Sequence, residues 1–441
     1  MSEIQKNTGV AALLPFGVFL LFYLGLSIWS GDFYAVPMPT AFIAASAAAL
    51  IKGKRSLEEK VTIYARGMGE PNIMLMVLIF ILAGAFAAVS KSSGAVDSAV
   101  LIARHLIPDR FFAVGLFLVS CFISLAIGTS CGTIVPLTPI AASLAGTAGI
   151  DAPLLVGAVV GGAMFGDNLS MISDTTIAAT RTQETEMKDK FRVNVKIAVP
   201  AAMIVLLIYC FSIKTGTPVP EPGPLSFRDV FLILPYVAIL VCALCGFNVM
   251  LLLFAGTVVA LIIGSCCGSF DLLKGIGFAG KGTLGMAETL IVALLAGGLL
   301  GTIRSNGGIA YLISKIEKHV DSKGKCEAGC AFLTVLVNLF TANNTVAIVV
   351  AGPVARELSL RFGCDNKRIA AIIDSASCVA QGLIPYGAQV LLAIGAAQSS
   401  GITVPVNELV KALYYPMFLG GALVVFIVAG SFFRKKKEGR N

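Results

Sequence analysis

Residues 165–177 read FGDNLSMISDTTI, and they interrupt a chain that is otherwise membrane-like. The flanks are apolar and small: LLVGAVVGGAM runs up to Phe165, and AAT follows Ile177. The stretch carries Asp167, Asn168, Ser170, Ser173, Asp174, Thr175 and Thr176, with no Lys or Arg between Pro153 and Thr180. In water this would be an ordinary polar turn between two helices. At membrane depth an ionisable group is costly and marks an ion or proton path. The small-residue runs on both sides favour the membrane reading.

Composition supports that reading. The 441 residues are 57% hydrophobic and 13% charged, with a mean hydropathy of +0.88, whereas soluble chains are about 25% charged. Runs such as AALLPFGVFLLFYLGLSI, IMLMVLIFILAGAFAAV and LGGALVVFIVAGSFF are near the roughly 20 helical residues that cross a bilayer. The expected fold class is therefore an all-α polytopic membrane protein. The polar start MSEIQKNTGV lacks a small-residue cleavage site after its apolar run, so the first run reads as a retained helix. Cysteines sit mostly in apolar runs and behave as small hydrophobes. His105 and His319 are the only histidines, which argues against a His-based metal centre.

Spans are expected at about 11–30, 38–51, 72–90, 112–127, 132–148, 154–180 and 194–213. A second set follows at about 231–247, 249–264, 289–303, 330–342, 345–360, 368–399 and 412–433, with interfacial helices at 95–108 and 308–320. The sixth member of each set is too long for one straight crossing and has a polar break in its middle. A constant shift of 214 carries Pro139, Leu144, Gly149 and Asp151 onto Pro353, Leu358, Gly363 and Asp365. A shift of 213 carries Lys91, Ser92 and Gly94 onto Arg304, Ser305 and Gly307, and GMGE at 67–70 answers GMAE at 285–288 with a shift of 218. Their order and near-constant offset point to an internal duplication.

With a cytoplasmic N-terminus and seven crossings per half, the halves must be inverted relative to each other. That model places 25 of the 33 Lys and Arg residues inside, as the positive-inside rule asks. The expected organisation is a first transmembrane repeat over 1–213, an external link over 214–229, an inverted repeat over 230–433 and a basic cytoplasmic tail over 434–441. Topology thus accounts for the net charge of +8, and no nucleic-acid partner is expected. The tail RKKKEGR suits contact with anionic lipid. Inverted repeats with discontinuous helices are a hallmark of secondary transporters, whose sites lie at the repeat interface.

Asp167 falls about fourteen residues into its span, roughly 21 Å from that helix end. Carboxylates with hydroxyls suit a small hard cation, and Asp167 and Asp174 are the candidate sodium ligands. A carboxyl taken out of water also holds a proton more readily, so one site that either ion occupies is the simplest exchange device. In the second half Asp167 meets Gln381 at the 214 shift, and the acid is Asp374, in AAIIDSASCVAQ. A structural Asp bonded to neighbouring Ser and backbone groups is the alternative reading there. Thr129 and Ser130 fall on Asn343 and Asn344, and Cys131 on Thr345. These polar knots suit either helix N-caps or ligands converging near mid-membrane. Glu70 and Glu288 stand where a carboxylate stabilises a helix start. No phosphate-binding G-x-x-x-x-G-K-[ST] occurs, so ATP drive is not encoded here, and no nucleophile is set beside a base as an enzyme would need.

At FGDNLSMISDTT the chain resembles the NhaC-type sodium/proton antiporter family, whose members commonly read close to FGDxxSPxSDTT. The chain keeps FGD, Ser170 and SDTT and has Met171 where the family often has Pro. KNTGVAALLPFGVFLLFYLG, GMGE, GMAE, SNGGIAYL and QGLIPYGAQ also look like that family, so the resemblance covers nearly the whole chain. It implies a multi-pass transporter of the bacterial inner membrane with inverted repeats and broken helices. No cofactor is implied beyond transported Na+ and H+, and a homodimer is compatible with it. The first expectation is a sodium/proton antiporter working by alternating access. The alternative is a sodium- or proton-coupled carrier of an amino acid or small carboxylate, held by Asn343, Asn344, Thr345, the SDTT segment at 173–176 and the QGLIPYG break. A channel-like or structural membrane protein is the third reading, disfavoured by the inverted halves.

Overall fold

The computed structural model describes residues 9–30, 37–51, 55–171, 173–212, 223–244, 247–317 and 319–438. Most of the expected link over 214–229 and the end of the tail lie outside the described residues. The first half comprises α1 (Leu14–Ser30), α2 (Met38–Ile51), α3 (Leu57–Met68), α4 (Pro71–Ser93) and α5 (Ala95–Leu106). It continues with α6 (Phe112–Ile127), α7 (Ser130–Ala148), α8 (Ala152–Leu169), α9 (Asp174–Thr182) and α10 (Met187–Ser212). The second half opens with α11 (Phe227–Leu232), α12 (Leu234–Leu244), α13 (Val249–Cys266), α14 (Leu272–Gly285), α15 (Ala287–Ser305) and α16 (Gly308–Glu317). It closes with α17 (Lys323–Thr341), α18 (Asn344–Phe362), α19 (Asn366–Leu383), α20 (Ala388–Ser399), α21 (Val406–Ala412) and α22 (Tyr414–Glu438).

The residues that matched across the halves hold equivalent structural positions. Gly149 and Gly363 end α7 and α18 with φ of 64° and 63°, the left-handed conformation that glycine adopts without a Cβ penalty. Pro139 and Pro353 lie inside those helices. Asp151 and Asp365 are the N-caps of α8 and α19. Both long spans break where expected, α8 to α9 across residues 170–173 and α19 to α20 across 384–387.

Among the described residues, six helices are long and apolar enough to cross a membrane, or eight if each sharply bent pair is one span. That is fewer than the fourteen runs of the sequence reading. Helices α2 and α13 and the described part of α1 are shorter apolar pieces. Charges crowd one end of α17 (Lys323, Lys325, Glu327) and of α18 (Arg356, Glu357, Arg361), which shortens their apolar lengths. The segment expected to be interfacial at 95–108 is α5, which meets the following helix at 106°.

Two segments read as connections are helices. Ser56 opens α3 by accepting the Glu59 N–H at 3.2 Å, an S-x-x-E start signal visible in the sequence. Asp271 caps α14 through the Leu273 N–H at 3.2 Å. Each crosses to the other half. A Cβ on Gly67 of α3 would stand 2.5 Å from the Gly297 carbonyl of α15, and one on Gly84 of α4 would stand 2.4 Å from the Gly282 carbonyl of α14. Helix α8 is held against α6 in the same way, since Cβ atoms on Gly162 and Gly166 would meet Phe117 O at 2.3 Å and Cys121 O at 2.5 Å. Small residues let backbones approach where lipid supplies no hydrophobic drive between helices. The α6–α8 contact fixes the height and rotation of α8, and with it Asp167.

Candidate ion-binding site

Where α8 ends, at Leu169, its last carbonyls need partners that the helix cannot provide. Asp167, on the final turn of α8, is buried at 8% exposure. Its Oδ2 accepts the Ser130 hydroxyl at 2.7 Å and its Oδ1 accepts the Ser173 hydroxyl at 2.5 Å. Ser130 is the first residue of α7, so the carboxylate faces a positive helix end, where negative charge is favoured. Ser173 is the N-cap of α9 and accepts the Thr175 N–H at 3.3 Å. Its hydroxyl also lies 2.9 Å from that of Thr175. One serine thus joins the carboxylate to the start of the next half-helix.

The second half completes the site. Ser130, Asp167 and Thr175 line a narrow cleft together with Asn344, Asp374 and Gln389. Gln389 of α20 donates its Nε2 to Ser130 at 3.0 Å, across 259 residues of sequence. Asp374, in the middle of α19 and 1% exposed, is ion-paired with Lys190 of α10 at 2.5 Å. Lys190 is itself 1% exposed and also donates to the Asn168 carbonyl and the Thr176 hydroxyl, each at 2.8 Å. Asn194, one turn along α10, donates to the carbonyl and the side-chain oxygen of Asn168, both at 2.7 Å, and accepts the Ser375 hydroxyl at 2.8 Å. Asn168 in turn donates to the Tyr415 hydroxyl at 3.3 Å. Burying two charges is costly unless they are paired and hydrogen-bonded, and this network supplies both.

Several expected residues occupy other positions. Asp174 is exposed, on the first turn of α9, whereas the sequence reading put it deep beside Asp167. Its place at a helix start, where an acid is stabilised by the dipole, accounts for that. Ser170 is buried at the end of α8, its N–H bonded to the Gly166 carbonyl at 2.8 Å. Asn343 caps α18 by accepting the Val346 N–H at 3.0 Å. Thr129 is the N-cap of α7 without a side-chain cap bond. Asn344 accepts the Thr345 N–H at 3.1 Å while lining the cleft, and Thr345 is half-buried beyond it. Gln381 sends its Nε2 to the Ala342 carbonyl at 2.9 Å, and its Oε1 is buried without a partner among the described residues. Glu70 accepts the Ile73 N–H at 3.3 Å at the start of α4, the helix-end role read for it.

Sequence reasoning missed Lys190, Asn194 and Gln389. Lys190 falls among the 25 Lys and Arg residues that the topology places on the cytoplasmic side, yet it is buried. The available signal was the i, i+4 pair Lys190–Asn194 on one face of a helix that soon turns apolar. Gln389 stands at the 214 offset from Thr175, in the first turn of the half-helix after the break.

A multi-pass helical membrane protein whose two halves each break a helix has the build of a secondary transporter, and the family and relatives it matches are transporters, not enzymes. This chain belongs to the Na+/H+ antiporter family, whose model matches residues 8–212 and 230–432. It is 21% identical over 419 residues to the malate-2H(+)/Na(+)-lactate antiporter of Bacillus subtilis (strain 168), covering 88% of each chain. It is 24% identical over 417 residues to the Na(+)/H(+) antiporter NhaC of the same organism, covering 86% of this chain and 89% of that one. A third relative, the arginine/ornithine antiporter ArcD of Halobacterium salinarum (strain ATCC 700922 / JCM 11081 / NRC-1), is 24% identical over 398 residues, covering 82% of this chain and 78% of that one.

Proposed function

We propose that this transporter exchanges sodium for protons at Asp167 by alternating access between two inverted halves. The observation that carries the reading is a charge balance. Asp167, Asp374 and Lys190 form one buried group, and Lys190 is matched by Asp374. Asp167 is left with two hydroxyl donors and no cationic partner among the described residues. A carboxylate in that condition takes up one monovalent cation, and a proton and a sodium ion compete for it. The oxygen atoms of Ser130, Ser173 and Thr175 are the hard ligands that sodium prefers.

The site joins Ser130 and Asp167 of one half to Asn344, Asp374 and Gln389 of the other. Rocking one half against the other therefore carries the bound ion from one side to the other without moving it along a pore. The narrowness of the cleft favours a bare ion over an organic substrate.

The test uses purified protein in liposomes with a trapped pH dye, to which sodium, lithium or potassium is added. Wild type is expected to move protons on sodium addition, and Asp167→Asn to abolish the response. Wild type without sodium-driven proton flux would remove the reading, and labelled amino acids and dicarboxylates would then be screened.

A further inference from the structure

The environment of Lys190 has the composition of a cation site. Its ammonium is held by one carboxylate oxygen (Asp374 Oδ2, 2.5 Å), one backbone carbonyl (Asn168 O, 2.8 Å) and one hydroxyl (Thr176 Oγ1, 2.8 Å). The carbonyl belongs to the last turn of α8, a negative helix end that favours a positive charge. Carboxylate, carbonyl and hydroxyl oxygens are the donors a hard monovalent ion selects. The three ligands come from α19, α8 and α9, on either side of the first break and across the halves. The anchor, α10, carries the ammonium in on its own side chain. Asn194 bonds the same Asn168 carbonyl at 2.7 Å, which fixes the cage independently of Lys190.

We infer that Lys190 is a tethered cation that permanently fills a second cation site at Asp374, so that only Asp167 is free to load an ion. This rests on the reading of Asp167 given above and adds the stoichiometry of the same centre. With Lys190 in place the buried group carries one uncompensated negative charge, and one monovalent ion neutralises it. Each cycle then swaps one sodium for one proton and moves no net charge. Without the ammonium the cage at Asp374 is vacant, the group carries two negative charges, and a second sodium enters. Lys190 is a positioning and counting residue here; it does not itself touch the ion at Asp167.

The experiment is equilibrium binding of radiolabelled sodium to the purified full-length protein in detergent, with monodispersity checked by size exclusion. Wild type is expected to bind one sodium per chain and Lys190→Ala two. One sodium in both would overturn the tethered-cation inference and leave the Asp167 reading standing, whereas no sodium on wild type would remove the Asp167 reading itself. If Lys190→Ala does not fold, Lys190→Ser, which removes the charge and leaves the cage vacant while keeping a polar side chain, decides the matter: two sodium ions per chain are expected, and one would overturn the inference. Proteoliposome flux gives the matching readout: wild-type exchange is expected to ignore an imposed membrane potential.

Discussion

Replacing Ser173 by alanine tests whether the Asp167 carboxylate is the exchange site, because this serine serves both the carboxylate and the helix that follows it. Its hydroxyl donates to Asp167 Oδ1 at 2.5 Å and accepts the N–H of Thr175 at 3.3 Å as the cap of α9. A hydrogen bond to a charged group is worth about 1.5–3 kcal/mol, and a lost N-cap about 1 kcal/mol. The first figure bears on transport. The deprotonated carboxylate is the form that takes sodium, and without Ser173 it is less stable by that amount. Sodium must supply the difference, which at about 1.4 kcal/mol per factor of ten is a roughly ten- to hundredfold rise in the concentration for half-maximal flux. The second figure appears only as reduced thermal stability. The assay is sodium-triggered proton flux in proteoliposomes at fixed pH, comparing wild type, Ser173→Ala and Ser173→Thr. Threonine keeps the hydroxyl and is expected to restore most of the sodium affinity. A Ser173→Ala protein with wild-type sodium dependence would refute the reasoning, since the carboxylate would then not be where the ions compete.

Two further outcomes follow from the packing and the surface. Gly166→Ala sets a Cβ 2.5 Å from both the Cys121 carbonyl and the Leu125 nitrogen, so α6 and α8 must separate; the cost is about 1–3 kcal/mol, read as a lower melting temperature in detergent. Gly25→Ala, with nothing within 4 Å among the described residues, is the control and is expected to leave stability unchanged or slightly higher; equal melting of the two variants would contradict the close α6–α8 contact. At α11, hydrogen bonds from the Ser226 hydroxyl and backbone hold the Asp229 carboxyl below its ordinary range, and Ser98 of α5 donates to it at 2.8 Å. A depressed carboxyl contributes stability above its unfolded value and loses it as pH falls through the folded one. Wild type is therefore expected to melt above Asp229→Asn at neutral pH, with the gap closing in strong acid; a gap that persists there would rule out the carboxylate as its source.

Much of the architecture was legible because its causes are local. Apolar runs near bilayer length announce helices, and the serine-flanked interruption at 170–173 and the Pro–Gly one at 384–387 announce the breaks. Matched Gly149 and Gly363 announce the same turn twice, since both ends require a left-handed residue. Helix α3 escaped notice because its LEEKVTIYARGM carries helix-forming charges in place of an apolar run. Helix α14 was lost among glycines, which weaken a helix signal while allowing the close contact with α4.

The sequence by itself determined a polytopic helical membrane protein built from two related halves, with Asp167, Asn168 and Ser173 gathered around a helix break. Backbone hydrogen bonding and hydropathy act over a few turns, and those features need no more than that. The tertiary structure decided which charges are matched. Lys190 stands among residues that look like a cytoplasmic loop, and only the packing of α10 against α19 brings it to Asp374. The packing of α20 against α7 brings Gln389 to Ser130, while the path of α9 leaves Asp174 exposed. A buried ion pair is set by where helices far apart in the chain cross. Local spacing carries no record of that crossing, because each partner is separately compatible with solvent.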